Sequence, residues 1–259
     1  MFALLVFVFV FILLIGIVCA LKTKTPSNKK TTPYNTVMQT INSAMRIPSK
    51  VEENWMQHAP HYDRKILHDE DCIQFLESFG KKYVDSFRRL KTGPFKADLF
   101  RYAWLYKHGG VYCDIKTILM RDLSAVFRDR TKCYMVYTDY NVERERPRIY
   151  NGIIATPPYN PIIRKLLEAC IETTDGSRYA KNCEDAYGIV RRHCKSPIML
   201  GEVETEEGTP NIEFFMEGSF SPEVCDYKMD RYNECMFVLN DKNEKIFKIR
   251  YHDYPWKKN

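Results

Sequence analysis

Two groupings of ionisable residues lie close together between Lys96 and Lys116. In "FKADLFRYAWLYKHGG", Asp98 and Arg101 are three residues apart, so on a helix they share one face while Leu99, Ala103 and Tyr106 can meet a core. That sets an acid beside a base. An ordinary surface ion pair, worth a few tenths of a kcal/mol, is the competing reading. Just downstream, "GGVYCDIKT" reads like a metal-binding strand whose second carboxylate has become a lysine. On a strand, Val111, Cys113 and Ile115 point one way and Tyr112, Asp114 and Lys116 the other. The polar set then sits at the strand's carboxyl end, where open α/β sheets place their ligands. A protonated ammonium cannot ligate a metal, but it can act as a point charge on a phosphate.

The elements that must hold these residues are legible. Gly109 and Gly110 end the helix, with His108 in its last turn. Helix-like runs "DEDCIQFLESFG", "FKADLFRYAWLYKHG" and "NPIIRKLLEACIET" alternate with strand-like runs "CYMVYTDY", "IYNGIIAT" and "MFVLN…KIFKIRY". This alternation predicts an α/β sandwich with a mostly parallel sheet. Asn160 and Pro161 suit an N-cap and first helical residue, and "NDKNEK" between two apolar runs suits a hairpin.

The chain of 259 residues, 45% hydrophobic and 28% charged, suffices for one well-buried domain. The net charge of +6 is modest and the basic residues are interleaved with acids, which fits an enzyme handling phosphorylated substrates; nucleic acid is not expected as a partner. Residues 2–21, "FALLVFVFVFILLIGIVCAL", carry no charge and as a helix would span about 30 Å, a bilayer core. Residues 1–21 are therefore expected to be a single-pass transmembrane signal anchor, 22–33 a flexible basic stem, and 34–259 the folded domain. Lys22, Lys24, Lys29 and Lys30 follow the apolar run, and the positive-inside tendency would keep that side cytosolic. Of nine cysteines, Cys183 with Cys194 and Cys225 with Cys235 are close enough to bridge. Buried free thiols are an equal alternative, with Cys113 among them.

The run "FKADLFRYAWLYKHGGVYCDIKTILMRDL" resembles the sugar-nucleotide-binding core of the DXD-containing glycosyltransferases of family 32, the fungal α1,6-mannosyltransferase group, with a wider likeness to the glucosylating clostridial toxins. The family pattern is roughly K-[SA]-D-L-x-R-Y-x-x-L-Y-x-x-G-G-x-Y-x-D-x-D, and every named position matches except the last, which is Lys116. Upstream, "VMQTI" is similar to the family's first strand, and Trp55, Pro60, Tyr62 and Asp69 match its next segment. Downstream, "IYNGIIATPPYNP" and "YHDYPW" match later segments, while Ile41 stands where relatives have an aromatic.

The resemblance implies a GT-A-type nucleotide-sugar-binding fold and a retaining transfer of a hexose, with mannose a candidate, to a glycan, glycoprotein or glycolipid acceptor. It implies catalytic roles for Asp98, Asp114 and Lys116, and donor binding by Asp98, Arg101, Tyr112 and Asn151. Asp98 would accept hydrogen bonds from sugar hydroxyls, and Arg101 would bind the sugar or diphosphate side. Asp114 and His252 would hold a divalent cation, Mn2+ or Mg2+, whose site Lys116 weakens or partly replaces. A type II placement in the Golgi or endoplasmic reticulum is implied for a eukaryotic chain, against the lysine bias around the anchor. A catalytically degenerate relative, a membrane-anchored carbohydrate-binding or scaffold protein, is the alternative.

Overall fold

Apolar side chains alternate along the strands and so fill two layers, one on each side of a single sheet. The computed structural model describes residues 35–138, 146–173, 181–220 and 235–250. The expected anchor and stem, Cys225, His252 and the closing "YHDYPW" lie outside the described residues. Among those described, no helix is long and apolar enough to cross a membrane.

The described elements are β1 (Thr36–Thr40), α1 (Ser49–His58), β2 (Asp63–Leu67), α2 (Asp69–Glu77), α3 (Lys81–Arg89), α4 (Gly93–His108), β3 (Gly110–Cys113), β4 (Ile118–Leu119), α5 (Leu123–Val126), β5 (Cys133–Thr138), β6 (Arg148–Thr156), α6 (Pro161–Ile171), α7 (Lys181–His193), β7 (Gly201–Val203), β8 (Ile212–Phe220), β9 (Cys235–Leu239) and β10 (Lys245–Arg250). The sheet order is β2-β1-β3-β6-β5-β8-β9-β10-β4, with β7 on β8. Met38, Tyr112, Met135, Ile154 and Phe214 face a core shared with α2, α3, α4, α6 and α7. Val37, Val111, Cys113, Val136 and Phe215 face the other, closed by Val51 and Trp55 of α1 and Leu123 of α5.

The expectation of a mostly parallel sheet is corrected to a mixed one. Among the described strands three pairings are parallel and six antiparallel. The cause is β6, which follows β5 after only nine residues, 139–147, too few for a helical crossover. It inserts antiparallel between β3 and β5. β1, β2, β3, β5 and β8 still run in one direction, so their carboxyl ends gather at one edge. The "NDKNEK" hairpin joins β9 to β10 as expected.

α4 is an interior helix. Phe95, Leu99, Phe100, Tyr102, Ala103 and Leu105 are all buried, so apolar residues surround it rather than striping one face. Pro94 opens it, and Gly109 closes it at φ 65°, its N–H donating to Leu105 O at 2.8 Å. A Cβ at Gly109 would lie 2.6 Å from Pro158 N, so glycine answers both to the backbone angle and to the close approach. Across that contact, Asn160 caps α6 through Ile162 N–H at 2.9 Å, with Pro161 in the first turn.

Of the two alternatives for Cys183 and Cys194, the free thiols are found and the bridge is not. Eleven residues of helix separate them by about 16 Å, well beyond the reach of a disulfide. Cys113 is a buried free thiol, and burial raises its pKa, the neighbouring Asp114 adding to the effect.

Candidate active site

The inward face of α4 meets the carboxyl end of β3, and there the two groupings become one. Asp98 and Arg101 are 8% and 4% exposed, so the pair belongs to the interior and the surface-pair reading fails. Arg101 Nη2 lies 3.2 Å from Asp98 Oδ1 and 3.5 Å from Asp114 Oδ1. It also donates to Tyr112 Oη at 3.1 Å, and its guanidinium lies 4.2 Å from that ring's centroid. Tyr112 Oη in turn donates to Asp114 Oδ1 at 2.9 Å, and Tyr150 Oη donates to Asp114 Oδ2 at 3.2 Å. From α7, Asn182 Nδ2 donates to Asp98 Oδ2 at 2.8 Å, its orientation held by Thr173 Oγ1 on its own carbonyl at 2.9 Å. Asn151 Oδ1 accepts from Tyr102 Oη at 2.7 Å, while its buried Nδ2 has no partner of hydrogen-bonding geometry. An unsatisfied buried donor costs roughly 1–3 kcal/mol, so a ligand acceptor at that point would relieve it.

Burial pushes the Asp98 carboxyl above its usual range, and the opposing pull of Arg101 and Asn182 does not fully offset it. Burial also opposes the charge on Arg101, but Tyr112, Asp98 and Asp114 outweigh it and hold the guanidinium firmly protonated. The Tyr112 and Tyr150 phenols sit well above their ordinary value, chiefly through burial. These tyrosines therefore act as hydrogen-bond donors.

Backbone details hold the cluster. Gln39, fully buried on β1, donates from Nε2 to Cys113 O and Asp114 O, both at 3.2 Å. A Cβ on Gly152 would lie 2.3 Å from Tyr150 Cζ and Oη and 2.7 Å from Asp114 Oδ2. Glycine there lets Tyr150 fold back along β6 to reach Asp114. The strand expected through Lys116 is corrected: β3 ends at Cys113, and Asp114 O accepts from Thr117 N–H at 2.9 Å to close a turn over Ile115 and Lys116. Strand alternation thus does not relate Lys116 to Asp114. Lys116 is exposed, at the rim of a cavity of about 750 Å3 that Asp98, Arg101, Asp114, Asn151 and Ile41 also line.

Of the two residues expected to hold a divalent cation, Asp114 is described: each of its oxygens accepts one hydrogen bond and keeps a lone pair for a further partner. A lysine stands at the second acid's position, and no group of three His, Cys, Asp or Glu that could hold a metal is found among the described residues. His252 lies outside them.

Residues 48–134 match the family model described as glycosyltransferase sugar-binding region containing DXD motif. That segment is similar to this family. The matched residues run from α1 to the start of β5 and include Asp98, Arg101, Tyr112 and Asp114. Similar curated proteins include the initiation-specific alpha-1,6-mannosyltransferase of Candida albicans, 32% identical over 27% of this chain and 19% of that protein. The protein of that name from Schizosaccharomyces pombe is 26% identical over 50% of this chain and 38% of its own. An uncharacterized glycosyltransferase of Acanthamoeba polyphaga mimivirus is 27% identical over 45% and 46%. The matches span less than half the length of these relatives. Among solved structures, the PaToxG glycosyltransferase pairs with 61% of this chain and 69% of its own at 16% identity and a TM-score of 0.41. The family match and the relatives' names support a transferase.

Asn182, Tyr150, Gly152 and Gln39 were not singled out from sequence. Gly152 had a signal, as a glycine inside a strand-like run marks a close approach. The others join the site only through long-range packing.

Proposed function

We propose that residues 34–259 form a GT-A-type domain that moves a hexose from a nucleotide-sugar donor to a hydroxyl acceptor on a glycan, glycoprotein or glycolipid, with retention. The observation that carries this reading is the interior Asp98–Arg101–Tyr112–Asp114 network opening on the cavity at the carboxyl end of β3. Mannose is the favoured sugar, because two of the similar proteins are named as mannosyltransferases.

In this mechanism Asp98, fixed by Arg101 and Asn182, keeps lone pairs to accept hydrogen bonds from the donor sugar's hydroxyls. Asn151 Nδ2 donates to a sugar oxygen and so gains the partner it lacks. Arg101 and the rim ammonium of Lys116 face the diphosphate, where negative charge develops as the glycosidic C–O bond breaks. The acceptor hydroxyl attacks from the same face, the new C–O bond forms, and the departing diphosphate takes the hydroxyl's proton. No further protein base is required, and the rate rests on positioning and charge. The apolar run at residues 2–21 would anchor the chain in a membrane of the secretory pathway. Against a catalytically degenerate scaffold stands the cost of keeping this buried network intact without use.

The test is hydrolysis and binding of GDP-mannose, UDP-glucose and other nucleotide sugars by the protein. Turnover of one donor, lost in Asp98→Asn, is expected; a protein that binds and turns over none of them removes the reading.

A further inference from the structure

The turn after β3 carries Asp114 and Lys116, and it is gripped at both ends from the face of the sheet that packs on α1, opposite the face that packs on α4. At its entry, Gln39 Nε2 on β1 reaches two successive carbonyls, Cys113 O and Asp114 O. At its exit, Trp55 Nε1 on α1 donates to Thr117 O at 3.0 Å. Beside Trp55, the Asn54 amide pairs with the Leu119 backbone, donating to its O at 2.9 Å and accepting from its N–H at 2.8 Å. The turn's own bond, from Thr117 N–H to Asp114 O, therefore lies between two outside holds.

The two holds meet at one side chain. Arg64 on β2 donates from Nε to Gln39 Oε1, and its guanidinium carbon lies 4.9 Å from the Trp55 ring centroid. Its Nη1 pairs with Glu52 Oε2, one turn before Trp55 on α1. Because Arg64 takes the oxygen of the Gln39 amide, the NH2 end is the one that faces the two carbonyls. None of Gln39, Trp55 and Arg64 lines the cavity that holds Asp98, Arg101 and Asp114. What they contribute reaches that cavity through the turn. Lys116 is exposed, so its place beside Asp114 is set by these backbone holds rather than by packing of its own side chain.

We propose that Gln39 and Trp55, joined through Arg64, are positioning residues that hold the turn from Asp114 to Thr117, keeping the Asp114 network and the Lys116 ammonium in fixed places at the donor. This assignment rests on the glycosyltransferase reading and adds the device, on the far face of the sheet, that sets the geometry of the acid motif.

The experiment uses the full chain and two variants. Gln39→Met keeps the length of the side chain and loses its amide. Arg64→Lys keeps a charge for Glu52 but loses the planar face on Trp55 and the paired donors. Hydrolysis of GDP-mannose or UDP-glucose, whichever is turned over, gives kcat and KM, and hydrogen exchange follows the Thr117 amide. Small misplacements of charged groups act on the reacting state, so kcat should fall about tenfold in Gln39→Met and about threefold in Arg64→Lys, with donor KM changed by less than about twofold. Thr117 exchange should rise at least about tenfold in Gln39→Met, while the Gly109 amide, bonded to Leu105 O, stays as it was. Lys116→Ala should cost about threefold in the wild-type background and less than about 1.5-fold in Gln39→Met, because a loosened turn no longer holds the ammonium at the donor. Unchanged Thr117 exchange in both variants overturns the assignment whatever the kinetics. So does a Lys116→Ala loss as large in Gln39→Met as in the wild type, which is what destabilisation alone gives. Wild-type protein that turns over neither donor overturns the glycosyltransferase reading, and the positioning role with it, even where Thr117 exchange shows the turn to be braced.

Discussion

The two halves of the acid motif sit in opposite surroundings. Asp114 is held at both carboxylate oxygens and tied through Tyr112 to an arginine that is 4% exposed. Lys116, two residues on, stands exposed on a two-residue turn. The half that keeps the family residue is embedded in a buried network where a change reaches several partners. The half that departs from the family lies where a new side chain disturbs no packing. The comparison teaches that the departure is cheap for the fold, so its consequences should fall on the chemistry.

The largest expected effect is at the embedded half. Asp98→Asn should lower donor turnover by at least about 100-fold, because the amide puts an NH2 donor, which cannot accept from a sugar hydroxyl, in place of one of the two acceptor oxygens. Stability should change by less than about 1 kcal/mol, since burial already disfavours the ionised carboxyl and Asp114 still faces Arg101. Kinetics beside a denaturant melt check both, and a stable, active variant would erase the contrast. Gly152→Ala comes next: its new methyl displaces Tyr150 from Asp114, and donor turnover should fall about tenfold, against about threefold for Tyr150→Phe. Equal losses in the two would show that crowding does not act through that hydrogen bond.

At the exposed half, Lys116→Ala should cost about threefold in turnover with no change in melting, as a solvated charge contributes little. Chelator should lower wild-type turnover by less than about twofold, whereas Lys116→Asp should make turnover rise with added manganese. A wild type inert in chelator would place the needed ligands elsewhere in the chain. The smallest effect concerns pH. The Asp98 carboxyl lies above its ordinary 3.8 because of burial, so the acid limb of turnover should begin above that value. Burial also makes ionisation of Asp98 costly for the fold. Its stability contribution is full below 3.8 and falls as pH rises through the raised value. An acid limb at or below 3.8, read from a pH–rate profile, would show an aspartate no different from an exposed one.

Local spacing announced much of this. The i,i+3 relation of Asp98 and Arg101, the paired glycines after His108 and the Asn160–Pro161 cap all depend on neighbouring residues, and each is found in the structure. What sequence spacing could not supply is direction and distance. β6 has the alternation of a strand, yet nothing in it states which way it runs against β3. "DIKT" continues an apparent strand pattern, and only the hydrogen bond from Thr117 N–H to Asp114 O reveals the turn. Asn182 is unremarkable in its own segment; it reaches the site because α7 returns to Asp98 from 84 residues away.

The insertion of β6 beside β3 also bears on how the protein reaches its native state. Both neighbours of β3 lie outside the family-matched segment, β1 before it and β6 after it. A fragment of residues 48–134 would leave β3 with two open edges and Asp114 without Tyr150. The motif cannot serve as a module that folds first and recruits the remainder. Its pairings span long loops, whose closure is slow and entropically costly, so the acid network should be among the last features to become protected from hydrogen exchange during refolding.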